Sequence, residues 1–173
     1  SMSTPEIDPD FADASLSTIF PTFLFEHQWP DSALINKSLR AEILDEMARN
    51  GGPLGDYTNV GGWHSAPTLQ ASTNDAMRII VARFERMARE LTRRTAQPEA
   101  GEQIYCETTA WANVNMADDY NEMHSHRHCT WVGVYYVEVP PLPADDRRAG
   151  ALELFDPRPA AAMIATPGNQ FSV

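Results

Sequence analysis

The stretch WANVNMADDYNEMHSHRHCTWVGVYYVEVPP at residues 111–141, with GALELFDPR at 150–158, decides the reading of this chain. At its centre stand His124, Ser125 and His126, followed by the apolar run Trp131–Val137. Side chains of an extended segment alternate with period two, so His124 and His126 face one side. Two imidazoles side by side at the mouth of an apolar strand make half of a site for a first-row metal such as iron, zinc, copper or nickel. His128 continues the alternation. It is a third ligand or a solvent-facing residue past a bend, and Arg127-His128-Cys129 reads as a turn, which favours solvent.

Working outward, the pattern beyond Pro98 is that of strands, expected at Gln103–Asn115, Thr130–Val139 and Ala151–Phe155. A surface loop with Pro140, Pro141, Pro143 and the charged run Asp145–Arg148 separates the last two. Ahead of Pro98 the pattern is mostly helical. Ile19–Trp29 is rich in aromatics and reads as a first strand, with Pro21 placing it at an edge. Asp31 or Ser32 caps a helix carrying Leu34, Leu39, Ile43, Leu44 and Met47, which stops at Gly51-Gly52. Residues 50–73 form a loop holding Gly61-Gly62-Trp63-His64-Ser65. Trp63 and His64 there are either part of a lid over a substrate or simply packed on the helices. Asn74 caps a second helix with Met77, Ile80, Val81, Phe84, Met87, Ala88 and Leu91 at helical spacing, running out near Arg93-Arg94.

Helices followed by short strands point to an α+β chain, mainly β, with an antiparallel sheet system covered by helices on one side. A jelly-roll is the natural home for a histidine pair at a strand mouth. The expected organisation is a loose polar tail over 1–17 and one domain over 18–173. Within it, 18–98 is a helical flank with the first strand and 99–173 is the β core.

The 173 residues are enough to bury a core, and 43% hydrophobic residues is an ordinary globular content. A net charge of -11 disfavours nucleic-acid or anionic-membrane surfaces, which need basic patches. No run is long and apolar enough to span a membrane, and no signal peptide is legible. The two cysteines, Cys106 and Cys129, form neither a disulfide framework nor a CxxC pair, so a reducing cytoplasm is the default. No Gly-rich phosphate loop supports a kinase or nucleotide-binding reading.

With these residues in view, the stretch resembles the 2-oxoglutarate/Fe(II) oxygenases of the prolyl-hydroxylase-like superfamily. The resemblance rests on the Trp-x-Asn strand, Asn121 three residues before HxH, Gly133-Val134-Tyr135-Tyr136 and Gly150…Phe155-Asp156-Pro157-Arg158. Ile19-Phe20-Pro21-Thr22 and the Gly61–Ser65 loop fit more weakly. It implies a double-stranded β-helix core, Fe(II), 2-oxoglutarate as cosubstrate and hydroxylation of a peptide, amino acid or small metabolite. His124 and His126 match the metal ligands, and Asn113, Asn121, Tyr135 and Arg158 are the candidates for cosubstrate binding. Arg158 is weighed equally against a salt bridge with Asp156, since a guanidinium grips any nearby carboxylate. The partners expected are the substrate alone, and a homodimer is left open.

Two departures stand out. HxH replaces the HxD of the wider superfamily, and a further imidazole in place of a carboxylate leaves the metal site at +2. The resemblance also implies a distal histidine and a basic residue on later strands, yet no His or Arg follows Arg158. A core lacking its last strands is therefore the expectation. The competing readings are a cupin-like metal protein without 2-oxoglutarate chemistry, whose further motif residues are poorly matched at Thr130 and Trp131, and a non-catalytic domain of the same fold.

Overall fold

The computed structural model describes residues 15, 17–18, 20–51, 58–96, 98–141, 149–160 and 163. Two units divide the chain. One takes the described residues up to His27 and those from Phe155 onward, and the other runs from Gln28 to Leu154. Among the described residues the helices and the paired strands lie in the second unit.

Helix α1 spans Ser32–Asn50. Ile35, Leu39 and Ile43, spaced by four, put one buried face on it. Leu34, expected on that face, is 80% exposed, because the stripe runs through Ile35 instead. Asp31 gives no side-chain cap; its carboxylate takes a hydrogen bond from Arg83 at 2.5 Å. The helix stops at Gly51, which has φ 53 and donates its N–H to the Met47 carbonyl. A positive φ suits glycine because no Cβ meets the backbone.

Helix α2 spans Asp75–Thr95. The Asn74 side chain caps it as expected, accepting the Met77 N–H at 3.2 Å, and Arg93 and Arg94 lie in the last turn, where cations offset the exposed carbonyls. Ala76, Met77 and Ile80 bury against the α1 face, joined by Trp63, Leu69 and Ala112.

Four strands of two residues each complete the unit: β1 (Asn59–Val60), β2 (Trp63–His64), β3 (Asn113–Val114) and β4 (Tyr120–Asn121). β1 pairs antiparallel with β4, Asn59 opposite Asn121. β2 pairs antiparallel with β3, Trp63 opposite Val114 and His64 opposite Asn113. Helices thus hold most of the regular structure, the reverse of the mainly β expectation, and the expected jelly-roll is not seen among the described residues. Residues 20–29 form no strand, and Ile19 lies outside the described residues, as do nearly all of the expected tail, Gly52 and residues 142–148. Of the strand expected at 103–115 only Asn113–Val114 is paired.

The reason is visible at 130–139. The segment keeps strand-like alternation without a partner strand. Trp131, Tyr135 and Val137 are half-buried, while Val132, Val134 and Tyr136 are exposed by 56%, 53% and 49%. Side chains anchor it to the helices instead of a ladder. Trp131 donates its indole N–H to Thr92 Oγ1 at 2.9 Å, Tyr135 donates its hydroxyl to Asn36 Oδ1 at 2.5 Å, and Glu138 meets Arg40. Residues 104–110 do the same on α2: the Cys106 thiol donates to the Glu85 carbonyl and Thr108 Oγ1 to the Glu85 carboxylate. Alternation is a property of extended backbone, so the hydrophobic pattern survives where pairing does not.

Two contacts should dominate mutational stability. Ser65 is fully buried, donates its N–H to the Ala112 carbonyl at 2.9 Å, and accepts the Ala112 N–H on Oγ at 2.9 Å. Ser65→Ala leaves a buried N–H unsatisfied and should cost about 1–3 kcal/mol in urea unfolding. A Cβ at Gly133 would overlap the Phe84 ring. Gly133→Ala should therefore destabilise by about 1–3 kcal/mol, and measurably less in a Phe84→Leu background, where the obstructing ring is gone.

Candidate metal centre

The site is built on the loop and strand ends at one side of the Gln28–Leu154 unit. Gly61 and Gly62 join β1 to β2 with φ 69 and 62, a left-handed turn that side chains disfavour. A Cβ on Gly62 would crowd the Asn115 side chain and the Val114 carbonyl. The tight turn sets β2 on β3 and so places His64 across from Asn113. The chain then turns at Ala117-Asp118, where Asp119 accepts the Met116 N–H at 2.7 Å, and returns as β4 toward the histidines.

The structure brings His124 and His126 together. Their ring centres are 4.7 Å apart and the planes meet at 72°. Two imidazoles bound at right angles on one ion, at about 2.1 Å from each nitrogen, would hold their ring centres about 4.5 Å apart. The separation of the pair is therefore one that two imidazoles on a single ion can have. His124 is also suitably oriented, since its Nδ1 lies 2.7 Å from the Glu122 carbonyl. With the proton on Nδ1, that bond leaves the Nε2 lone pair for a metal. Burial, and then the neighbouring His124, lower the pKa of His126 from its ordinary 6.5. A depressed pKa keeps the ring neutral at pH 7, the form in which imidazole ligates. His128 sits in the Arg127-His128 turn at φ 64. Among the described residues no three His, Cys, Asp or Glu side chains gather as a metal site.

The remaining candidates fall in different places. Asn113 and Asn121 join a patch of four asparagines. Asn59 lies opposite Asn121 across the β1–β4 ladder and donates to Asn113 Oδ1 at 3.2 Å, and Asn115 donates to Asn121 Oδ1 at 3.2 Å. Asn59 Oδ1 is buried without a hydrogen-bond partner. Tyr135 turns toward the helices, bonded to Asn36 with its ring 6.3 Å from Trp29, and burial raises its pKa. Arg158 belongs to the other unit, where its guanidinium and backbone N–H both engage Asp156. That grip holds the Asp156 carboxyl at about 2 and raises the Arg158 pKa. Trp63 and His64 are buried in β2, 4% and 6% exposed, which is packing rather than a lid. Cys106 and Cys129 are both free.

Reading from sequence missed Asn59, 54 residues from Asn113, and the rings around the pair. Trp111 meets both His64, stacked at 5.6 Å and 14°, and His126, at 5.6 Å and 35°. Period two from Asn113 would have put Trp111 on the same strand face, but nothing in the sequence announces the register that brings in His64.

A pH test follows from His126. Its pKa is lowered on folding, so on acidification the unfolded chain takes up a proton near 6.5 that the folded chain refuses until lower pH. Stability should therefore fall as pH drops through and below 6.5, and thermal melts of His126→Gln should show a shallower fall over that window. Equal slopes would mean that His126 is not shielded.

Residues 109–172 match the model of a protein family described as "Putative 2OG-Fe(II) oxygenase". No curated protein and no solved structure matches the chain. The family match bears out the resemblance read from the HxH stretch, and it supports an oxygenase-type enzyme that uses iron and 2-oxoglutarate. Among the described residues no helix is long and apolar enough to cross a membrane.

Proposed function

We propose that this protein is an Fe(II)- and 2-oxoglutarate-dependent hydroxylase acting on a peptide, an amino acid or a small metabolite, with His124 and His126 as two of its metal ligands. The edge-to-face histidine pair, inside the segment that matches the oxygenase family, is the observation that supports the reading best. Bound Fe(II) with 2-oxoglutarate would supply oxygen activation coupled to decarboxylation of the cosubstrate to succinate.

The protein's own part is to bind and orient. His124 presents Nε2 because Nδ1 is held by the Glu122 carbonyl. His126 stays neutral because it is part-buried beside a second imidazole. The asparagine patch offers amide donors to the oxygens of an anionic cosubstrate. Asn113, whose Oδ1 is taken by Asn59, has its NH2 group for that purpose, and Asn121, whose Oδ1 is taken by Asn115, has the same. With imidazole in place of the usual carboxylate the protein leaves more positive charge at the metal, which favours an anionic chelate.

The test is an anaerobic titration with Fe(II) and 2-oxoglutarate, watching for the visible charge-transfer band of the chelate, followed by succinate release in air. His124→Ala should abolish metal binding and turnover, while His128→Ala should leave both nearly intact. Equal loss in the two variants would mean the ligands are misassigned. Iron bound without a band would favour the cupin-like or non-catalytic metal domain.

A further inference from the structure

The two histidines are held by different means. His124 is fixed by a hydrogen bond to the Glu122 carbonyl. Among the described residues no hydrogen bond reaches the ring of His126; its contacts are the rings of His124 and Trp111. A half-buried imidazole without such a bond would rotate about its side-chain torsions, and a ligand that must first be ordered binds more weakly.

Trp111 supplies what is missing. Its indole contacts both His126 and His64, each ring centre 5.6 Å away. His64 is a firm backing: it is 6% exposed, it sits in the β2–β3 ladder opposite Asn113, and its Nδ1 is 2.5 Å from the Ser65 carbonyl. Trp111 is itself anchored, because both backbone groups of the next residue, Ala112, are bonded to Ser65. The result is a chain of ring contacts, His64–Trp111–His126–His124, that runs from a buried ring to the candidate ligands.

We infer that Trp111 is a positioning residue for the metal ligand His126, setting its ring by aromatic contact and itself steadied by its contact with the buried His64. The inference rests on the metal-site reading of His124 and His126. Residues that orient a ligand without touching the metal typically cost 10–100-fold in affinity when removed, so the effect is within reach of a binding measurement.

The experiment is a Co(II) titration followed both by calorimetry and by tryptophan fluorescence. Wild type should bind Co(II), with quenching dominated by Trp111, which touches a ligand ring. Trp111→Phe keeps an aromatic face and should hold the affinity within about threefold while losing most of the quenching, with Trp29, Trp63 and Trp131 remaining as emitters. Trp111→Leu removes the face and should weaken Co(II) by about tenfold, and Trp111→Phe is its conservative rescue. Should the leucine variant misfold, the phenylalanine variant decides alone: quenching that persists in Trp111→Phe overturns the inference. So does wild-type affinity in a folded Trp111→Leu. A wild-type protein that binds no Co(II), or binds it equally after His124→Ala and His126→Ala, overturns the site itself and the inference with it.

Discussion

The pairing of Ser65 with Ala112 holds together the parts that matter most. It is a two-point latch in which one backbone bond and one side-chain bond replace a longer ladder. Ser65 also donates its hydroxyl to the Ala66 carbonyl. Because the residue is fully buried, water cannot replace these bonds, and each is worth more than it would be at the surface. On one side of the latch stands His64, on the other Trp111. A serine hydroxyl thus sets the register in which a Gly-rich turn meets the strand that leads to the histidines.

A second constraint is electrostatic and lies at the helices. Arg83 bonds to Asp31 and stands 4.9 Å over the Trp29 ring. The same bond lowers the Asp31 pKa. Trp29 in turn lies against Tyr135, so the entry to α1, the middle of α2 and the segment after the histidines meet at one point. The Arg83 side chain is 14% exposed but Asp31 is 51% exposed, and Arg83 Nη1 is buried without a hydrogen-bond partner, so the contact with Trp29 matters here as well as the ion pair.

How much of this could be read from the chain depends on the range of the interaction. α1 and α2 were legible because caps, stop signals and apolar spacing are local: Asn74 at the start of α2 and Gly51 at the end of α1 act within a turn of their own position. Even there, choosing Leu34 over Ile35 shifted the buried stripe, since both are apolar and only packing decides. The strands were expected in excess because alternation reports that a segment is extended with one covered face, and at 130–139 the cover is helix, not sheet. The resemblance to the oxygenases was legible from a motif, and the closeness of His124 and His126 from their spacing. What surrounds them was not: Asn59 reaches Asn113 and Asn121, and His64 reaches Trp111, across 47 to 62 positions, through a register that no local pattern encodes.

The unpartnered segment at 130–139 also divides the molecule in time. α1 and α2 satisfy their own backbones, so their interior amides exchange with solvent only when a helix or the whole unit opens. Among the described residues the amides of 131–139 have no main-chain acceptor in a ladder, and the side-chain anchors at Thr92 and Asn36 shield rings rather than N–H groups. Hydrogen exchange in this segment is therefore governed by small local openings. The stretch just after the histidines can open locally while the helical layer beneath it stays intact.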